Sequence, residues 1–273
     1  YHSPWFGSWF DCGAFIMKAL HQLGHSVSVW DFRLEPKPPT DLGYDLAIVW
    51  KGNKVVHQAL PHPKVCYWPD KFGRDPENES GLEQYDRVFT PVRPTPEGMI
   101  WLPTGWDSDY HKNLHYPLEK RDLDILFIGT KSERKLNFLS EIKPDRIYGN
   151  GWESSWGAAG LVPPQPAVYL QEFVHVLNTH YIAINIHRDE VGLNSRIFEF
   201  AACTFMVTDR VPGVEEVFGK ELAQKISFNT PKQGRAMVEH FYNHPELREE
   251  LWRQEYAAIQ PYTYKAAVER MIS

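Results

Sequence analysis

Runs of four to six apolar residues recur along the whole chain, separated by segments with helical spacing, and this alternation constrains the fold more than any other feature. In the first half, Val27–Trp30, Leu46–Trp50, Val65–Trp68, Arg87–Thr90 and Met99–Leu102 read as short buried strands. Ile16, Ala19, Leu20 and Leu23 recur at i, i+3, i+4 and i+7, a helical stripe stopped by Gly24, and Lys54–Leu60 reads as a short helix. Short strands joined by helices build βαβ units and hence a parallel sheet. On that plan Tyr1–Pro4 is the tail of a first strand that begins upstream of the sequence.

A second series follows a polar, aromatic stretch, Asp107 to Asp122, that has no periodicity. Its strands are Ile125–Ile128, Arg146–Tyr148, Tyr181–Ile186, Phe205–Thr208 and Lys225–Phe228. Its helices are Lys131–Glu141, Val168–Leu177, Ser195–Ala202, Val214–Phe218, Gly234–Tyr242, Glu246–Ile259 and Thr263–Met271, with a Gly- and Pro-rich loop at Gly149–Pro166. The expected division is 1–106, a connector at 107–122, a second domain at 123–258, and a last helix at 259–273 that packs back on the first domain.

Composition narrows the class. With 42% hydrophobic and 23% charged residues the 273-residue chain is an ordinary globular one, and it has no run of apolar residues long enough for a membrane span. A net charge of −6 gives no basic footprint for bulk nucleic-acid binding. Cys12, Cys66 and Cys203 sit singly in apolar stretches, which points to buried thiols in a reducing compartment and a cytoplasmic protein. The His residues form no HExxH and no Cys/His pairing, so no zinc site is expected.

The richest segment is Asn185 to Cys203, in which a strand ends, Gly192 turns the chain, and a helix starts near the N-cap residue Asn194. Helix N-termini at the carboxyl edge of a parallel sheet hold anions through free N–H groups and the dipole. Arg196 and Ser195 lie in the first turn, and Glu199 is three residues on, on the Arg196 face. A carboxylate one turn inward from a phosphate suits the two hydroxyls of a ribose; the same spacing also suits a plain Arg–Glu surface pair. Gly129-Thr130-Lys131 with Arg134 outlines a second phosphate turn, although it is not a P-loop. Tyr148, Gly149 and Trp152 follow the next strand, where an aromatic ring can face a base. His2, Ser3, Gly7, Asp11 and Asp70 fall at the carboxyl edge of the first sheet, the ligand side of open α/β folds. Asp107-Ser108-Asp109 spells a metal-binding DxD but falls in the connector, and His187-Arg188-Asp189 spells the kinase HRD without its companion motifs.

The order of these motifs resembles nucleotide-sugar glycosyltransferases of the B fold (GT-B), and more narrowly the CgeB/YkvP-like, spore-maturation group. Tyr67–Asp70, Leu102–Asp107, Phe127–Thr130 with Arg134, Ile147–Trp152, and Asn185 to Cys203 carry the match, with His244–Arg248 and Tyr262–Tyr264 at the tail. The resemblance implies two Rossmann-like domains facing a cleft. It implies a nucleoside-diphosphate sugar as donor, a carbohydrate or other hydroxyl acceptor, and no metal or other cofactor. Glu199 would hold the ribose, and Asn194, Ser195, Arg196, Lys131 and Arg134 the diphosphate. Ser3, Gly7, Asp70, His187 and Arg188 would face the sugar or acceptor. A base, if one is needed, would be His2, Asp11 or Asp70. Eight residues before Glu199 stands Val191, where many retaining relatives carry a second Glu, so the stereochemical outcome stays open. A sugar-nucleotide or glycan-binding protein, or an epimerase, on the same fold would show the same motifs.

Overall fold

The computed structural model describes residues 9–30, 43–51, 54–69, 71–73, 75–115 and 122–273. Two parallel sheets form. The first has the order β1 (Ala47–Trp50), β2 (Lys64–Tyr67), β3 (Arg87–Thr90), β4 (Ile100–Trp101). The second has the order β6 (Arg146–Tyr148), β5 (Asp122–Ile128), β7 (His180–Asn185), β8 (Phe205–Asp209), β9 (Ser227–Phe228). Strands β7 and β8 are buried at every residue, as a sheet covered on both faces requires.

Helices α1 (Trp9–Gln22), α2 (Lys54–Ala59) and α3 (Pro76–Glu79) belong to the first half. Helices α4 (Glu133–Ile142), α5 (Leu170–Thr179), α6 (Arg196–Cys203), α7 (Val214–Ile226), α8 (Pro231–Tyr242) and α9 (Pro245–Ile259) surround the second sheet. The helix starts differ from expectation where a cap decides them. Ser132 Oγ accepts from Lys135 N at 3.3 Å, so α4 begins at Glu133 rather than Lys131. Helix α7 runs on through a break at Gly219 (φ 73°), which leaves β9 only two residues. No strand forms at Val27–Trp30, and Val29 is 68% exposed: a strand exists through its ladder, and no described segment pairs with this one. The expected first-strand tail at Tyr1–Pro4 lies outside the described residues.

Helix α10 (Tyr264–Ile272) crosses to the first half. Tyr264 and Val268 pack with Cys12, Phe15, Ile16 and Ala19 of α1, while Ala267 and Met271 pack with Val65, Tyr67, Phe89 and Leu102. The outgoing and returning chains touch at one place. Trp106 N donates to Tyr262 O (3.2 Å), Tyr264 N to Trp106 O (3.0 Å), and the Trp106 indole to Ile259 O (2.9 Å). A Cβ on Gly105 would sit 2.7 Å from three backbone atoms of Tyr262, Thr263 and Tyr264. The connector is clamped by Asn178, whose amide accepts from Leu114 N (2.6 Å) and donates to Lys112 O (3.0 Å). Asp107 and Asp109 both pair with Lys18 of α1, at 2.7 and 2.8 Å, and Asp107 also caps its own turn. Among the described residues no helix is long and apolar enough to cross a membrane, and the three cysteines are buried and unbridged.

Two outcomes test this packing. Gly105→Ala should cost about 1–3 kcal/mol in chemical denaturation, because rigid backbone surrounds the site; a neutral substitution would contradict the close crossing. Glu255, fully buried in α9, accepts from Met206 N at 3.1 Å while its second oxygen has no partner, and burial holds its pKa well above the ordinary carboxylate value. Its raised pKa gives stability that is complete below about pH 4 and lost as pH rises toward the folded value. Glu255→Gln should therefore gain stability over the parent as pH rises from about 4 to 8; a gap that narrows with pH would contradict this.

Candidate functional site

Three strand–helix turns at the carboxyl edge of the second sheet meet in one place. The first turn leaves β5 through Gly129 and Thr130 into α4. It lies beside the turn after β6: Gly129 N donates to Tyr148 O (2.8 Å) and Lys131 N to Asn150 O (3.0 Å). The two turns approach so closely that a Cβ on Gly149 (φ 141°) would lie 2.3 Å from Gly129 O.

The sequence reading missed Lys135. It shares the inward face of α4 with Phe138, Leu139 and Ile142, a core position at which a lysine stands out. Its Nζ donates to Thr130 O at 3.0 Å. Burial, and then the nearby Arg196 and Arg188 charges, push its pKa down to about 7. Stacking cations in a buried turn is costly unless an anion joins them.

The third turn runs from β7 to α6. Asn194 Oδ1 accepts from Ile197 N at 3.2 Å and so caps α6, although Ser195 already has helical backbone angles. Arg196 is half-buried with a Nε that has no partner among the described residues, and Glu199 is 8% exposed one turn inward. Both line a small enclosed cavity with Ser195, Phe15, Tyr110, His111 and Tyr169. Its volume is about 30 Å³, roughly one water's share, so a nucleoside enters only when these walls part. His111 is a neutral wall, its pKa pushed down to about 3 by burial. Leu170 at the rim has a left-handed backbone (φ 50°), the kind of strained residue that gathers at ligand sites, and is half-exposed. A larger cavity of about 670 Å³ lies elsewhere, along β9 between α7, α8 and α9, and touches none of these residues.

Several expected contacts are corrected. Trp152 is fully buried, edge-on to Phe127, and its indole donates to Gly129 O at 2.8 Å, so it cannot stack on a base. Tyr148 remains half-buried, while Tyr169, an exposed ring, lines the cavity together with Glu199. Arg134 is not a free cation: Glu190 (2.5 Å) and Asp209 (2.8 Å) hold its guanidinium. His187 is 1% exposed, and Asp209 takes its Nδ1 at 2.7 Å, so it does not reach a sugar. Lys131 pairs with the exposed Glu133 at 3.1 Å, and Arg188 is exposed. Gly129, Thr130 and Lys131 lie at the β5 turn and Asn194, Ser195, Arg196 and Glu199 at the start of α6; Lys135, bonded to Thr130 O and close enough to feel the Arg196 charge, links the two groups. His2, Ser3, Gly7 and Asp70 lie outside the described residues; Asp11 lies in α1, with its side chain outside the described set. The first half reaches the rim elsewhere, where Val92 bridges Gly192, Arg93 N donates to Val191 O (2.6 Å), and Arg93 Nε approaches Glu216 at 3.5 Å.

Residues 132–273, just over half of the chain, match the family described as glycosyl transferase-like. No protein of curated function matches the sequence. Among solved structures, the chain is similar to WaaG, a glycosyltransferase involved in lipopolysaccharide biosynthesis (TM-score 0.63, 11% identity, covering 98% of this chain and 96% of that one). It is similar to AviGT4, a glycosyltransferase involved in avilamycin A biosynthesis (TM-score 0.62, 14% identity, 98% and 88%). It is also similar to an α-glucosyltransferase in complex with UDP-glucose and DNA containing an abasic site (TM-score 0.58, 12% identity, 84% and 80%). At these identities the likeness is one of fold, the GT-B arrangement of two parallel-sheet domains.

The lowered Lys135 pKa makes a sharp expectation. A bound diphosphate should restore its proton, so UDP binding at about pH 8 should take up a proton in calorimetry across buffers of different ionisation enthalpy. Lys135→Met should weaken UDP about tenfold or more and abolish that uptake; equal uptake in the variant would remove Lys135 from the site.

Proposed function

We propose that this chain, which belongs to the glycosyl transferase-like family, moves a sugar from a nucleoside-diphosphate sugar to a hydroxyl acceptor without a metal ion. The observation that carries the reading is Arg196 and Glu199, one turn apart at the capped start of α6 and lining one cavity, with Lys135 close enough to feel the Arg196 charge. Glu199 accepts from the two ribose hydroxyls. Arg196, Lys135 and Lys131, with the positive end of the α6 dipole, hold the diphosphate. Charge grows on that diphosphate as the bond to the sugar breaks, and fixed cations and dipoles aimed there lower the barrier. They take the part that a metal would otherwise play. Asp107 and Asp109, already neutralised by Lys18, are not needed.

The α-glucosyltransferase neighbour's UDP-glucose makes a uridine donor the first to test. Asp70, Asp11 or His2 would supply a base if transfer inverts configuration. The order of Leu102–Asp107, Phe127–Thr130 and Asn185 to Cys203 supports the narrower CgeB/YkvP-like kinship, and three buried thiols support a cytoplasmic setting. Arg188 and the Ser3–Gly7 loop would face the sugar or the acceptor.

The test is a panel of UDP-, GDP-, dTDP- and CMP-sugars, followed by release of nucleotide and transfer to glycans. One donor should turn over, and should do so in EDTA; loss in EDTA restored by Mn²⁺ would overturn metal independence. Glu199→Gln should weaken UDP about tenfold while leaving inorganic pyrophosphate, which has no ribose, unchanged. Equal losses for both ligands would contradict the ribose role.

A further inference from the structure

The feature that the proposed reaction does not use is a fully buried carboxylate at the end of β8. Asp209 accepts three hydrogen bonds: from His187 N (2.9 Å), from His187 Nδ1 (2.7 Å) and from Arg134 (2.8 Å). Burial works to raise its pKa, but His187 and Arg134 outweigh that and hold it below the ordinary carboxylate value.

The contacts continue beyond His187. With Nδ1 protonated toward Asp209, Nε2 is left to accept, and it faces the Asn185 amide nitrogen at 3.4 Å. The same amide nitrogen donates to Thr208 Oγ1 at 3.1 Å, which uses its second hydrogen. Asn185 Oδ1 accepts from the Asn194 amide at 3.0 Å, and Asn194 Oδ1 caps α6 at Ile197 N. Each group has one consistent orientation, and that orientation is set at the Asp209 end. On its other oxygen Asp209 holds Arg134, which also holds Glu190 of the β7–α6 turn. One carboxylate therefore fixes the turns after β5, β7 and β8 together. The His–Asp pair looks like a catalytic dyad, but His187 Nε2 faces Asn185 and the ring is buried, so it has no access to an acceptor.

We propose that Asp209 is a positioning residue for the anion site: through His187, Asn185 and Asn194 it orients the start of α6, and through Arg134 the start of α4, so that Arg196 and Lys135 converge on one diphosphate. This rests on the donor-site reading above.

The experiment is a double-mutant cycle on the affinity for inorganic pyrophosphate, measured by calorimetry on the full chain. Asp209→Asn and Asn194→Ala do not touch each other, so independent roles would give additive losses. Each should weaken pyrophosphate about tenfold, and the double variant should bind no worse than the weaker single. Additive losses, or an Asp209→Asn that binds like the parent, would overturn the positioning role. If Asp209→Asn does not fold, His187→Asn carries the same cycle, since it keeps a donor for Asp209 and withdraws the Nε2 acceptor, with the same two readings. Nitrogen NMR of the His187 ring gives a readout independent of any ligand. The neutral Nδ1-protonated form should persist in Asn194→Ala, and an Nε2-protonated ring in the parent would overturn the relay. A parent that binds neither pyrophosphate nor UDP would instead overturn the donor-site reading itself.

Discussion

The structure depends on the place where the chain leaves the first half and the place where it returns being the same place. Gly105 and Trp106 pass against Tyr262–Tyr264 with no room for a side chain, and three hydrogen bonds lock the contact. Among the described residues the first sheet has four strands, none longer than four residues, and α10 covers Val65, Tyr67, Phe89 and Leu102. Phe15 of α1 meets Glu199 of α6 across one cavity.

That geometry explains where charge collects. Two turns at the carboxyl edge of the second sheet carry Lys135, Arg196 and Arg188; burial depresses the lysine's pKa and the two arginine charges depress it further. Like charges in a half-buried place are unstable neighbours unless something of the opposite sign is designed to join them. Asp209 offsets part of that charge, while its two oxygens are hydrogen-bonded to His187 and Arg134. The net charge of −6 is no obstacle to an anionic ligand, since the cations that matter are a few at two helix starts.

Much of this was legible from periodicity. The two parallel-sheet series follow from apolar spacing, because buried parallel strands and amphipathic helices leave strong patterns. The α6 start was legible as well, since Asn194, Arg196 and Glu199 are placed by capping and helical pitch. What was not legible depended on which way a side chain turns. Trp152 looks like a base platform in sequence but serves as a core ring that caps Gly129. Arg134 looks like a free cation until Asp209 and Glu190, distant in sequence, arrive beside it. Lys135 left one usable signal, a lysine in register with Phe138, Leu139 and Ile142. Val27–Trp30 shows the converse: its apolar spacing reads as a strand, but none forms there among the described residues.

The central claim is that the turns after β5 and β7 form a donor site. The most direct measurement is a structure with UDP bound. The account predicts the diphosphate within hydrogen-bond reach of Lys135 Nζ and Arg196, with the ribose hydroxyls on Glu199. A nucleotide seated instead in the cavity along β9, or leaving Lys135 and Glu199 untouched, would contradict it.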